Sequence, residues 1–171
     1  MIENGNIIKK VYFPREILPL SVITSEAVNF IISTIIILVF VLGYGIGLSK
    51  FIIFYPLVLI VQYVLLIGIS FIVSSVTVYF RDLQHFIGIA LQLLFYATPI
   101  VYSPGQIPEE FQWILNLNPM TYVINGYRDI FYYKQMPDLS SMAMVLGIGI
   151  IISLLGYLVF NKLQRRFAEE L

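Results

Sequence analysis

YFRDLQHFIGIALQLLFYATPIVY, residues Tyr79 to Tyr102, decides how the chain is laid out. Arg81, Asp82 and His85 crowd its first turns, and no charged residue follows until Glu109. The apolar run closes on Ala97-Thr98-Pro99, flanked by Tyr96 and Tyr102. A charged entry, an apolar rod and a proline stop describe a membrane helix entered from an aqueous face. Proline removes an i to i−4 hydrogen bond, so Thr98-Pro99 is expected to kink or end the helix. Phe86 to Val101 rises about 24 Å, short for a crossing unless Leu83 and Gln84 belong to it. Gln84, Gly88, Gln92 and Phe95 recur at helical spacing. That face is the more polar one and is expected to look into protein or water rather than lipid.

The rest of the composition agrees. Of 171 residues, 59% are hydrophobic and only 12% charged, and the mean hydropathy is +0.89. A soluble domain is nearer a quarter charged. The apolar runs are long and uncharged, and none alternates as barrel strands do, so the backbone must satisfy itself in helices. The fold class expected is an all-α integral membrane protein. Net charge is zero and no basic tract points to nucleic acid. There is no cysteine, hence no disulfide framework and no thiolate metal site. MIENGNIIKKVYFPRE is not a signal peptide, since proline and further charge follow its lysines.

Working outward, four crossings are expected, at residues 27–48, 51–79, 83–102 and 140–160. Before the first, a helix of one or two turns from Pro14 to Leu18, ended by Pro19, is expected at the membrane surface, with a disordered leader as the alternative. Glu26 is placed at the mouth of the first crossing, with Thr24 and Ser25 as caps, and Gly43, Gly45 and Gly47 loosen its far end. Gln62, the one strongly polar group near the middle of the second crossing, reads better as an interhelical hydrogen bond than as a substrate contact. Residues 104–135 carry Pro104, Pro108 and Pro119 and many aromatics, and neither half is apolar enough to span. Two short re-entrant or interfacial helices are expected there, one from Glu109-Glu110 to Leu115 and one from Pro119 to Lys134, capped at Asn118. A folded loop on the headgroups is the alternative. Residues 161–171 form a polar helical tail.

Four crossings put both ends on one side. That side holds seven basic residues (Lys9, Lys10, Arg15, Arg81, Lys162, Arg165 and Arg166) against Lys50, Arg128 and Lys134 on the other. The positive-inside rule then places both termini and the Arg81 turn in the cytoplasm. No catalytic set is present: one histidine, no P-loop and no nucleophile elbow. An Asp82–His85 pair reads as local hydrogen bonding at a turn. With Glu26 at the mouth, no charge falls within a crossing, which argues against a proton- or sodium-driven transporter.

Several pieces in order resemble the permease subunits of ABC-2 type transporters, in the branch exporting polysaccharides and teichoic acids. They are N-x-x-I-I-K-K-V-Y-F-P-R-E-I-L-P-L-S from Asn4 to Ser21, Y-F-R-D-L-Q-H from Tyr79, Y-A-T-P-I-V-Y from Tyr96, L-N-P-M from Leu117, Y-R-D from Tyr127 and the terminal R-R-F-A-E-E-L. The resemblance implies a homodimer in the bacterial cytoplasmic membrane, each copy partnered by a separate ATP-hydrolysing subunit that holds ATP and magnesium. No cofactor, metal or catalytic residue is expected in this chain. Phe13, Pro14, Arg15 and Glu16, with Arg81 and Asp82, would face the ATPase from a cytoplasmic coupling region over residues 1–25. The substrate would be a lipid-linked glycan, passing Gln84, Gly88, Gln92, Phe95, Tyr96, Tyr102, Tyr122, Tyr127, Arg128 and Tyr132. Aromatic rings suit such a path, because sugar rings present flat C–H faces. The family carries an interfacial helix and two further crossings before the coupling region, so the sequence is expected to be a fragment, a truncated product or one with a misplaced start. Two alternatives are a membrane scaffold or enzyme acting on lipid-linked sugars, and an exporter of a small hydrophobic compound.

Overall fold

The computed structural model describes residues 14–45, 47–80, 82–102, 108, 110 and 112–164, without the side chain of Ile114. Helices and one 3-10 turn make up the regular structure of the described residues. They are α1 (Ile17–Gly43), a 3-10 turn (Lys50–Phe54), α2 (Tyr55–Tyr79), α3 (Leu83–Ala97), α4 (Gln112–Leu117), α5 (Pro119–Phe131) and α6 (Leu139–Leu163). The protein is of the membrane class, and its described residues are all-helical in their regular structure, with three long apolar helices and the shorter apolar α3.

The first crossing differs from the sequence reading at its start. No separate helix ends at Pro19; α1 runs through it from Ile17 to Gly43. Pro19 is the third residue of α1, and the first four N–H groups of a helix have no intrahelical acceptor, so its missing N–H loses nothing. Thr24 and Ser25 are therefore not caps. The Thr24 hydroxyl donates back to the Leu20 carbonyl at 2.7 Å, inside the helix. Glu26 is no longer at a mouth: it stands nine residues, about 13 Å, past Ile17. A carboxylate thus lies well within an apolar helix, contrary to the expectation that no charge does. At the other end α1 stops at Gly43, not Leu48, where Gly45 and Gly47 take φ of +70° and +75°, open to glycine without strain.

α2 and α6 form the spine. Lipid tails are as apolar as leucine, so helices in a membrane associate by close packing and interhelical hydrogen bonds. The seam is made of small residues. A Cβ on Gly68 would lie 2.5 Å from the Ser153 nitrogen, and one on Gly156 would lie 2.6 Å from the Gly68 carbonyl oxygen. Ser153 Oγ donates across the seam to the Val64 carbonyl at 2.8 Å.

Two clusters mark the two ends. At one, Phe71, Val78 and Phe160 pack with Leu20, Tyr79 and Leu163. The start of α1 and the C-terminal ends of α2 and α6 meet there. At the other, Val58, Val61 and Leu65 of α2 pack on Val123 and Ile130 of α5 and on Met142 and Val145 of α6.

The second expected crossing is divided: a 3-10 turn precedes α2, which starts at Tyr55 with Pro56 in its first turn. α3 ends at Ala97, with Thr98 in extended conformation, as the proline stop requires. The expected helix pair is present in shorter form. α4 starts at Gln112, and α5 ends at Phe131 before Lys134, whose φ of +53° cannot continue a helix. Asn118 caps α5 as expected, accepting from the Met120 N–H at 3.0 Å. α6 begins one residue early, at Leu139, because Asp138 accepts from the Ser140 and Ser141 N–H groups.

Candidate functional site

At the end where α1 begins, Pro14 is exposed while Arg15 and Glu16 are half-buried, and their carbonyls accept the first N–H groups of α1. The Arg15 guanidinium donates to the Gln164 carbonyl just past α6. Tyr79 Oη donates to the neighbouring Leu163 carbonyl at 2.8 Å. Two donors from distant segments thus satisfy carbonyls that the last turn of α6 leaves open, and Arg15 sets a positive charge against the negative end of its dipole. Asp82 is exposed and precedes α3 without a side-chain cap. No side-chain hydrogen bond joins it to His85 among the described residues. Phe13 and Arg81 lie outside the described residues, as do residues 165–171 of the tail.

At the opposite end, three of the singled-out motifs come together. The buried Asn118 Nδ2 donates to the buried Thr98 Oγ1 at 2.8 Å, and Thr98 Oγ1 donates to the Leu94 carbonyl at 2.7 Å. Asn118 therefore caps α5 with its oxygen and holds the end of α3 with its nitrogen. Arg128 Nη2 donates to the Ile100 carbonyl at 3.1 Å and to the Tyr102 carbonyl at 2.8 Å. Tyr102 Oη donates to the Tyr96 carbonyl at 2.8 Å. The A-T-P, N-P-M and Y-R-D pieces are one junction, closing the chain reversal after α3.

The residues expected along a substrate path separate into three places. Gln84, Gly88, Gln92 and Phe95 lie exposed on α3, which buries none of its residues. A Cβ on Gly88 would meet nothing within 4 Å. Tyr96, Tyr102, Tyr122 and Arg128 belong to this junction or its rim, where Tyr122 Oη donates to the Asn116 carbonyl at 3.0 Å. Tyr132 is exposed there, edge-on to Tyr133 with ring centres 5.0 Å apart. Tyr127 turns inward. Its hydroxyl donates to Gln62 Oε1 at 2.7 Å, and its ring sits 5.4 Å from Phe30 and 5.8 Å from Tyr55. Gln62 is thus the interhelical hydrogen-bonding group that its position suggested.

Sequence reasoning missed two features here. A cleft between α5 and α6, about 350 Å³, is lined by Tyr122, Asn125, Arg128, Asp129, Tyr133 and Asp138, among others. Its ionic groups already have structural partners: Arg128 as above, Asp129 with Gln135 Nε2 at 2.7 Å, and Asp138 at the start of α6. The Ser141 hydroxyl and the Ser140 N–H hold the Asp138 carboxyl below the usual carboxylate range. Asp138 before Ser140-Ser141 was a legible cap signal. The second feature, a cleft between α1 and α2 reached by Glu26, became visible only when α1 proved to start at Ile17. No group of three or more metal-ligating side chains occurs among the described residues.

Residues 1–132 match the family model described as ABC-2 type transporter. Over 171 residues, 99% of this chain, it is 38% identical to the O-antigen export system permease protein RfbA of Klebsiella pneumoniae. It is 30% identical over the same length to a protein of that name from Myxococcus xanthus. The chain spans 66% of the length of each of these relatives.

Proposed function

The chain belongs to the ABC-2 type transporter family, and from that premise we propose that it is permease sequence of an O-antigen export system. It forms part of the membrane subunit through which an ATP-driven exporter moves a lipid-linked polysaccharide or teichoic acid precursor across the bacterial cytoplasmic membrane. ATP and magnesium belong to a separate subunit, and this chain does no bond chemistry. The observation that carries this reading is the similarity to O-antigen export permeases along 99% of the chain.

The crossings are assigned to α1, α2, α3 with its extension to Tyr102, and α6, with α4 and α5 as the outward re-entrant pair. Two contacts support α3 as a crossing. Tyr79, just before α3, bonds the C-terminal end of α6, while Thr98, just after α3, bonds the start of α5. α3 therefore covers the bundle between its two ends in 15 residues, about 22 Å of helix. By the distribution of basic residues, the Arg15–Gln164 end is cytoplasmic and the Asn118–Arg128 junction faces out. The ATPase docks at the first end, on Phe13 to Glu16 and the Arg81-Asp82 turn. The open sides of α3 suit a second permease copy and the glycan path between copies, with Gln84, Gly88, Gln92 and Phe95 as its wall.

Deleting the gene should remove the glycan from the cell surface while its lipid-linked form accumulates inside, and reintroducing the gene should restore export. Normal surface glycan in the deletion strain would overturn the proposal. Arg15→Ala with Glu16→Ala should weaken co-purification of the ATPase; unchanged capture would remove the coupling assignment.

A further inference from the structure

We propose that the cleft between α1 and α2 binds a neutral sugar ring of the exported glycan, an inference that rests on the export reading above. The cleft has a volume of about 370 Å³, and Glu26, Asn29, Phe30, Ser33, Gln62 and Tyr63 supply its chemistry. On α1, residues 26, 29, 30 and 33 are spaced to share one face. α2 closes the other side.

What sets this cleft apart is the state of its polar groups. The Glu26 carboxylate and the Asn29 amide have no hydrogen-bond partner among the described residues. Gln62 uses Oε1 to accept from Tyr127, which leaves its Nε2 donors without one. Ser33 donates to the Asn29 carbonyl at 2.9 Å and keeps its oxygen as an acceptor. Glu26, Asn29 and Ser33 are exposed at the cleft and Gln62 is half-buried; polar groups on membrane helices are costly unless they meet a partner, and an ionisable one marks function. The outer cleft is different, since its ionic groups already hold the fold together.

The chemistry selects the occupant. A carboxylate accepts from hydroxyls, two amides donate and accept, and the Phe30 and Tyr63 rings offer flat walls for C–H faces. Among the described residues no lysine, arginine or histidine lines the cleft, so a phosphate or pyrophosphate finds nothing there to offset its charge beside Glu26. A sugar ring matches this donor and acceptor set.

The 171 residues hold no cysteine, so with any cysteine elsewhere in the full-length permease replaced, a single thiol at Ser33→Cys reports on the cleft. The test uses the full-length permease with its ATPase, in cells that make the glycan and in cells blocked at the first step of its synthesis. Ser33→Cys should react with a charged thiol reagent, and more slowly where glycan is made. Ile35→Cys, on an exposed part of α1 away from the cleft, should stay unreactive. Glu26→Gln should cut export about tenfold, the scale of one charged hydrogen bond, with ATPase capture retained. An unreactive Ser33→Cys in both strains would show the cleft covered by protein or lipid and overturn the proposal. Reactivity without protection, with Glu26→Gln exporting normally, would overturn it as a water-filled cleft without a ligand. If deleting the gene leaves surface glycan unchanged, the export reading fails first, and this inference fails with it.

Discussion

α2 and α3 are both apolar helices, yet they sit in the bundle in opposite ways. α2 buries Val58, Val61, Leu65, Gly68, Phe71, Ser75 and Val78 along its whole length. α3 buries nothing and is held by its ends, through the Phe80 turn and the Thr98–Asn118 contact. Hydropathy alone does not distinguish them. The difference is that α2 meets α6 through glycines and serines that let the backbones touch, whereas the glycine of α3 faces open space. An apolar helix without close partners among the described residues is one whose contacts come from lipid, other parts of the protein, a second copy or substrate. That is why the proposed dimer contact falls on α3 and not on the α2–α6 seam, and why α3 is proposed as one wall of the glycan path beside the α1–α2 cleft.

The sharpest way to break the comparison is to make the same change in both helix systems. Gly156→Ala places a methyl 2.6 Å from the Gly68 carbonyl oxygen. Denaturation in detergent should show a loss of about 1–3 kcal/mol or more. A neutral result would mean that the seam is looser than its geometry.

Next in size is the attachment of α3 at its Thr98 end. Asn118→Ala removes both the cap of α5 and the tie to Thr98 and should destabilise by about 1–2 kcal/mol. Asn118→Ser keeps a capping oxygen but not the reach to Thr98, so it should recover only the capping part. If Asn118→Ser restores full stability, Thr98 is not what anchors α3.

A smaller effect of opposite sign is expected at Gly88. Gly88→Ala meets no neighbour and should stabilise the isolated chain by about 0.5–1 kcal/mol through helix propensity. Gly88→Trp should leave the chain folded and block export if this face lines the path. Normal export by Gly88→Trp would assign the face to lipid.

The smallest effect concerns Asp138, whose carboxyl is held below the usual range by the Ser141 hydroxyl and the Ser140 N–H. A lowered folded-state pKa contributes stability above the ordinary carboxylate pKa, and this is lost as pH falls through the lowered value. Asp138→Asn, still a good cap, should therefore flatten the acid side of the melting-temperature profile. An unchanged profile would show that the charge contributes nothing there.

Much of this architecture was legible in the chain itself. Runs without charge gave the long helices, Thr98-Pro99 gave the end of α3, and Asn118-Pro119 gave the start of α5. Each is a local rule about backbone hydrogen bonds and desolvation. Pro19 was misread because a proline stops a helix only where its N–H would have had an acceptor, and in the first turn it has none. That one boundary also hid Glu26, which a start near Ala27 leaves at a surface. The partners of Arg15, Arg128 and Tyr127 were not legible, because each bond joins segments far apart in the chain.

By itself the sequence determined the solvent the protein lives in, the helical class and the family, since these rest on composition, period and ordered motifs. Tertiary structure alone decided which polar residues are already partnered and which are left open. Arg128, Asp129, Asn118 and Gln62 Oε1 bind other parts of the chain, while Glu26, Asn29 and Gln62 Nε2 have no partner among the described residues. A hydrogen bond depends on where its partner lies in space, and the partners of Arg128, Asn118 and Gln62 Oε1 lie 20 or more residues away along the chain.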